Sequence, residues 1–121
     1  MAETSGTAGQ DRLTITRTPA DGISVIAVHG EIDHHTGDPL HRALTPHDGA
    51  GAPRIVVDLS GVTFMDSSGI NILIAAHNAV RDAQGWLRLA GPTTSVLRTM
   101  QLVGLDEVIE CYPTVGDALG A

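Results

Sequence analysis

Residues 54–82 read RIVVDLSGVTFMDSSGINILIAAHNAVRD, and this stretch decides the fold. Its first six residues are a run rich in β-branched side chains, as expected of a strand that is buried on both faces. After a short connector, positions that face inward recur at helical spacing and predict a helix over residues 68–82. These positions are Ile70, Leu73, Ile74 and His77. A buried strand that leads into a long helix is typical of a parallel sheet covered by helices.

The preceding residues predict a hairpin and a short helix. From Arg12, apolar and polar residues alternate as in a half-exposed strand, and residues 23–29 predict a second, more buried strand. The turn-forming sequence Pro-Ala-Asp-Gly at residues 19–22 joins the two strands as a hairpin. A loop, a short helix and a Gly/Ala/Pro-rich surface loop are expected over residues 30–35, 40–44 and 47–53.

The residues that follow the long helix predict two more strands and two more helices. The strands are expected over residues 86–90 and 108–111. The first helix opens after Gly91 and Pro92 and ends at Gly104, because glycine is the usual residue beyond a helix C-terminus. The second helix begins after Thr114, which has an acidic residue three positions later as in a capping box.

These alternating elements predict a single α/β domain over residues 10–121, preceded by a disordered tail over residues 1–9. We expect a mixed, mainly parallel sheet of about five strands, with an antiparallel N-terminal hairpin and about four helices. A length of 121 residues and an apolar content of 42% suit one hydrophobic core.

Charge and composition exclude several classes of partner. Fourteen acidic residues against seven Lys and Arg give a net charge of −7, which disfavours nucleic acid and anionic membranes. There are only three aromatic residues to stack on bases. The single cysteine, Cys111, forms no internal disulfide, and we interpret it as a small buried hydrophobe. Without a signal-like or membrane-spanning stretch, the expected location is the cytoplasm.

The sequence Asp66-Ser67-Ser68-Gly69 lies where the central strand gives way to the long helix. A serine at a helix start is a good N-cap, because its oxygen accepts a backbone N–H. Two adjacent serines exceed what one cap needs, so one hydroxyl could accept a phosphate. The local chemistry leaves both interpretations open.

Residues 30–36, GEIDHHT, combine two histidines with acidic residues. We expect no metal here, because adjacent His34 and His35 point in different directions and no further ligand is evident. The alternative is that Asp33 or Thr36 caps the short helix that follows.

A serine hydrolase is a third alternative, and the sequence disfavours it. The nucleophile-elbow pattern Gly-x-Ser-x-Gly is missing around Ser67 and Ser68. His77 lies two turns along the same helix, so we interpret it as a histidine at the edge of the core rather than a general base.

Two motifs resemble the STAS domain, and specifically the anti-sigma factor antagonists (anti-anti-sigma factors) of Gram-positive bacteria. They are residues 30–36 and residues 57–69, VDLSGVTFMDSSG. The Gly-Pro opening of the next helix and its Leu-Val-Gly-Leu ending over residues 102–105 are also similar to the family. The resemblance covers nearly the whole chain.

The resemblance implies a regulator of transcription that is not an enzyme and has no cofactor or metal. Such a protein binds an anti-sigma factor that is also an ATP-dependent serine kinase, and so frees a sigma factor. The kinase phosphorylates the first serine after the aspartate, here Ser67, and the phosphorylated form releases it. A metal-dependent serine phosphatase reverses the modification. The free protein is expected to be a monomer.

From the resemblance and from the residues themselves, we predict a set of partner-binding residues around Ser67. Asp33 is expected beside the phosphorylation site, Ser68 is expected to cap the helix, and Gly69 is expected to admit the partner backbone. The full set is Asp33, Thr36, Met65, Asp66, Ser68, Gly69 and Ile70. Of these, Met65 and Ile70 are apolar contacts unless they belong to the core.

The sequence departs from the family at Ile70-Asn71-Ile72, where Leu-Gly-Val is common. Asn71 replaces a small glycine in the first turns of the helix, which could alter the choice of partner. The alternative function is a STAS domain that binds a small ligand or a scaffold, with Ser67 serving only the helix.

Overall fold

A computed structural model describes residues 13–45 and 51–121. The predicted N-terminal tail and the first four residues of the predicted loop over residues 47–53 lie outside these ranges. The described strands are β1 (Leu13–Ala20), β2 (Ile23–Ile32), β3 (Arg54–Met65), β4 (Trp86–Ala90) and β5 (Cys111–Tyr112). The α-helices are α1 (Gly37–Leu44), α2 (Ser67–Asp82), α3 (Thr94–Leu102) and α4 (Val115–Gly120), with a 3₁₀ turn at Leu105–Glu107.

The described strands form one sheet in the order β1-β2-β3-β4-β5. β1 is antiparallel to β2, and each later pair of neighbours is parallel. The hairpin turn consists of Asp21 and Gly22, both with positive φ (54° and 79°), as in the turns that match the twist of a two-residue hairpin. The predicted fold class, with its antiparallel hairpin and helix-covered parallel sheet, is confirmed.

The two central strands are longer than predicted. β2 continues through Ile32, where a loop was expected from residue 30, and β3 continues through Met65 instead of ending at residue 59. The extra residues pair with one another, and Ile32 lies opposite Met65 in the register. Two register shifts between β2 and β3 each leave an extra residue in β3. They break the alternation of side chains in that strand, so the sequence pattern conceals where it ends.

The last strand lies later in the chain than predicted. It is Cys111–Tyr112 rather than residues 108–111. The preceding residues form the 3₁₀ turn, where the N–H groups of Val108 and Ile109 both donate to the Leu105 carbonyl (2.9 and 3.0 Å). Local hydrogen bonds therefore satisfy backbone groups that a strand would otherwise pair across the sheet.

Helices cover both faces of the sheet, and they divide the core in two. The larger part joins one sheet face to α1, α2 and α3, and Leu59 and Leu73 are fully buried within it. The smaller part lies on the opposite face beneath α4. Arg88 fixes α4 there: its guanidinium stacks on the Trp86 ring at 3.8 Å, and its Nη1 donates to the Ala118 carbonyl at 3.0 Å.

The turn between α2 and β4 generates the first testable prediction. A Cβ at Gly85 would overlap the backbone carbonyl of Pro53, which already accepts the Trp86 N–H at 2.9 Å. We expect Gly85→Ala to lower the free energy of unfolding by about 2 kcal/mol or more. The reason is that the Pro53 carbonyl cannot move away from the new Cβ without weakening its hydrogen bond to the Trp86 N–H. Urea denaturation measures this change.

The matched control is Gly116→Ala in α4, where the added Cβ meets only the Thr114 hydroxyl at 3.8 Å. Alanine favours a helix over glycine, so the unfolding free energy should stay constant or rise by up to about 1 kcal/mol. Equal effects of the two substitutions would contradict the packing argument.

Candidate functional site

The start of α2 is built on the end of β3. Asp66 is the N-cap, with extended backbone (φ −101°, ψ −168°), and its Oδ1 accepts the N–H of Ser68 at 2.8 Å. Ser67 and Ser68 are the first two residues of the helix. The expectation that Ser68 caps the helix is therefore wrong. The reason is that β3 ends at Met65, so the aspartate occupies the cap position.

The two serines lie in different surroundings. Ser67 is exposed, whereas Ser68 is half-buried. Ser68 lines a cleft of about 380 Å³ together with residues of α1, the preceding loop and α2, namely His34, Gly37, Asp38, His41 and Ile72. Of the two serines, Ser67 is therefore the more accessible to a partner.

The loop between β2 and α1 is braced from within by Asp33 and Thr36. Asp33 Oδ1 accepts the N–H groups of His35 (2.9 Å) and Thr36 (3.0 Å). The Thr36 hydroxyl accepts the Asp33 N–H at 2.9 Å and donates to the Glu31 carbonyl at 2.8 Å. Thr36 occupies the N-cap position of α1, but its hydroxyl makes hydrogen bonds within the loop and none to the N–H groups of the helix.

Asp33 and Asp66 follow residues that are paired across the sheet. Ile32 lies opposite Met65, and the Asp66 N–H donates to the Ile32 carbonyl at 3.2 Å. Asp33, which begins the loop before α1, and Asp66, which caps α2, thus follow neighbouring strand ends at the same edge of the sheet. Both side chains are half-buried, and each accepts backbone N–H groups of its own segment.

Four residues expected to contact a partner have buried positions instead. Met65 and Ile70 are only 4% and 6% exposed and belong to the main core. Gly69 is buried as well, and a Cβ there would overlap the Met65 side chain, so core packing requires glycine at this position. Thr36 is 8% exposed and is occupied by the loop hydrogen bonds. For Met65 and Ile70, the phase of the strand and of the helix turns the side chain inward.

The sequence analysis missed an exposed aromatic residue and the cleft beside Ser68. Phe64 lies opposite Glu31 at the end of β3, and its side chain is 48% exposed. It stands three residues before Ser67, so it adds apolar surface to the same end of the molecule. Knowledge that β3 continues to Met65 would have indicated its exposure, because the residue beside a buried one faces the opposite side of a strand.

His77 and Cys111 have shifted pKa values, and both lie away from the start of α2. Burial lowers the pKa of His77, and the charge of Arg81 lowers it further. Burial raises the pKa of the Cys111 thiol, with Asp106 contributing in the same direction. The neutral forms are thus favoured, which suits the predicted core-edge histidine, while Cys111 is half-buried rather than fully buried.

Two negative findings concern the described residues. Within residues 13–45 and 51–121, no group of three or more His, Cys, Asp or Glu side chains is arranged to hold a metal ion. Over the same residues, no helix is long and apolar enough to cross a membrane.

Comparison with known proteins identifies the family. The model of the STAS domain family matches residues 14–118. An anti-sigma-F factor antagonist of Mycobacterium tuberculosis, RsfB, is 32% identical over 110 residues, which cover 90% of this chain and 88% of that protein. The crystal structure of an anti-sigma factor antagonist from Mycobacterium paratuberculosis superposes with a TM-score of 0.79 at 32% identity, covering 94% of this chain and 97% of that one.

A more distant likeness shows the fold alone. The anti-sigma factor antagonist SpoIIAA in its unphosphorylated form matches with a TM-score of 0.71 at 23% identity, covering 88% of this chain and 93% of that one. Bacillus SpoIIAA in the phosphorylated form gives 0.67 at 22%, covering 88% and 97%. The fold and the family model together define a STAS domain. Within that class, the chain belongs to the family of the anti-sigma factor antagonists, as the sequence motifs indicated.

The cap at Asp66 generates a prediction about stability. Asp66→Ala should lower the free energy of unfolding by about 1 kcal/mol, because the Ser68 N–H loses its acceptor. Asp66→Asn should retain most of the stability, since asparagine caps helices about as well as aspartate. Thermal or urea unfolding of both variants checks this. An equal loss in both would mean that the charge stabilises the chain and the cap does not.

The buried face of His77 generates a prediction about pH. The pKa of His77 is lower in the folded chain than its usual value of about 6.5. Between these two pKa values the unfolded chain binds more protons than the folded chain. The free energy of unfolding therefore falls as the pH falls from about 6.5 toward the folded-state pKa. His77→Gln should flatten this part of the stability curve. Arg81→Gln should flatten it less, because burial is the larger cause. Identical pH slopes for wild type and His77→Gln would contradict the assignment.

Proposed function

We propose that this chain binds an anti-sigma factor in its unphosphorylated form, frees a sigma factor to join RNA polymerase, and is switched off by a phosphate on Ser67. The observation that carries the proposal is the placement of Ser67 as the exposed first residue of α2, directly after the capping aspartate. The relatives named as anti-sigma factor antagonists support the choice of partner.

The choice between the two serines rests on their surroundings. A kinase must enclose the attacking hydroxyl together with the γ-phosphate of ATP, which requires an accessible side chain. Ser67 is exposed, whereas Ser68 is half-buried against the cleft and its N–H is bound to Asp66. Ser67 is therefore the proposed acceptor.

The modification is a phosphoryl transfer from ATP held by the partner. The Ser67 Oγ bonds to the γ-phosphorus while the bond to the β,γ-bridging oxygen breaks, and ADP leaves with that electron pair. The hydroxyl proton passes to a base of the kinase or to water. In the reverse direction a metal-dependent serine phosphatase directs water at the same phosphorus and releases inorganic phosphate.

The switch is proposed to act at the contact surface and not through the fold. A phosphate adds roughly −1.5 to −2 charges beside Asp66, on a chain whose net charge is already −7. A partner surface complementary to a neutral hydroxyl would have to desolvate this charge. A cost of about 2–5 kcal/mol weakens binding about 30- to 5,000-fold.

Several further properties belong to the same proposal. The chain acts without catalysing a reaction, works in the cytoplasm and is a monomer when free, in keeping with its acidic composition. Its mycobacterial relatives support a Gram-positive source. Asp33, next to the paired strand ends, is proposed to contribute to the negative field around Ser67.

A second candidate function is a small-ligand module without phospho-switching. A cavity of about 520 Å³ lies between α3, the 3₁₀ turn and β5, a volume that suits a small organic molecule. Its walls include Leu97, Gln101, Asp106 and Cys111. The phosphorylation experiment below separates the two functions.

The test uses wild type, Ser67→Ala, Ser67→Asp and Ser68→Ala as baits in native cytosol, with ADP or with ATP. Wild type should retain a kinase-type partner with ADP, release it with ATP and gain one phosphate on Ser67, as measured by the intact mass of the bait. Ser67→Ala should retain the partner under both conditions. Ser67→Asp should bind at least tenfold more weakly, because a charge replaces the hydroxyl.

Ser68→Ala is the matched control, and it should still be phosphorylated and released. If Ser67→Ala still gains a phosphate and Ser68→Ala does not, the acceptor is Ser68 and the proposal for Ser67 is wrong. Identical captures by all four baits without phosphate would favour the small-ligand module.

A further inference from the structure

The first turns of α2 present two different pairs of side chains one helical turn apart. Ser68 and Ile72 line the cleft toward α1. Ser67 and Asn71 have the same spacing of four residues, so they stand next to each other on the neighbouring face. Both are exposed. Asn71 is therefore the side chain one turn beyond the proposed phosphoacceptor on its own side of the helix.

One of the N–H groups that a phosphate on Ser67 could use at the helix start is already bound to Asp66. The Ser68 N–H, one of the groups that could hold an anion there, donates to Asp66 Oδ1 at 2.8 Å. The Asp66 carboxylate also repels a second negative group at short range. A further donor on the solvent side of the helix would therefore stabilise this phosphate.

No Lys or Arg of α2 lies close to Ser67 along the chain. Residues 67–80 include no Lys or Arg. Arg81 is 14 residues beyond Ser67, or about 21 Å along the axis. The nearby imidazoles of His34 and His41 line the cleft on the side of Ser68.

The Asn71 carboxamide has the right chemistry and direction for this task. Its NH₂ group carries two N–H donors. Side chains in an α-helix lean toward the N-terminus, so Asn71 leans toward Ser67, and Cβ atoms at this spacing are about 5–6 Å apart. We propose that Asn71 donates a hydrogen bond to a phosphate on Ser67 and is a positioning residue of the phosphorylated state. The inference rests on the proposed function only for the existence of that phosphate.

The test measures the ionisation of the phosphate itself. Phosphoserine is incorporated at position 67 during translation, so no kinase is needed, and its second pKa is followed by ³¹P NMR titration. A donor stabilises the dianion and lowers this pKa. We expect Asn71→Ala to raise it by about half a pH unit, the effect of one exposed hydrogen bond. Asn71→Asp should raise it further, because a like charge faces the phosphate.

Asn78→Ala is the matched control, because Asn78 is an exposed asparagine of the same helix about 16 Å from Ser67. It should leave the titration unchanged. Asn71→Ala should fold, since alanine is the better helix former, and circular dichroism verifies this. The proposal would be overturned if Asn71→Ala left the second pKa of the phosphate unchanged. It would also be overturned if His34→Ala and His41→Ala shifted this pKa and Asn71→Ala did not. The partner-binding experiment is independent of these outcomes, so the two proposals fail separately.

Discussion

The hydrogen bond from the Asp66 N–H to the Ile32 carbonyl joins the two central strands at the point where both end. From there, β3 turns into α2, and the Asp66 carboxylate fixes the first turn through the Ser68 N–H. The loop after Ile32 is braced by Asp33 in the same way. The pairing of β2 with β3 thus sets the positions of Asp33 and Asp66. Each carboxylate then accepts backbone N–H groups of the segment that follows it.

This arrangement explains how a charge could regulate binding without altering the fold. Ser67 lies outside the cap hydrogen bond, so modification of its hydroxyl leaves the bond between Asp66 and Ser68 intact. The residues beneath it, Met65 and Ile70, belong to the core and hold the helix start in place. The free energy of a new charge therefore acts on whatever approaches the surface.

Sequence patterns predicted the fold where periodicity was regular and failed where it was interrupted. The hairpin and the succession from β3 to α2 followed from β-branched runs, turn residues and helical spacing. The ends of β2 and β3 were missed because two register shifts break the alternation of side chains there. This error also affected the prediction of the site. Because β3 was predicted to end at residue 59, Asp66 was not recognised as the N-cap of α2. The burial of Thr36 and Gly69 was also hidden, because it depends on contacts between segments distant in sequence.

Helical phase separates the functions of the residues that follow Asp66. Gly69 and Leu73 face the sheet, where size is restricted by contacts such as that of Gly69 with Met65. Ser68 and Ile72 face α1 and shape the cleft. Ser67 and Asn71 are both exposed. A substitution on this last face can change the contacts of a phosphate proposed on Ser67 without changing the packing of the core. Of these three pairs, the exposed one is therefore the pair whose side chains can change with the least effect on the core.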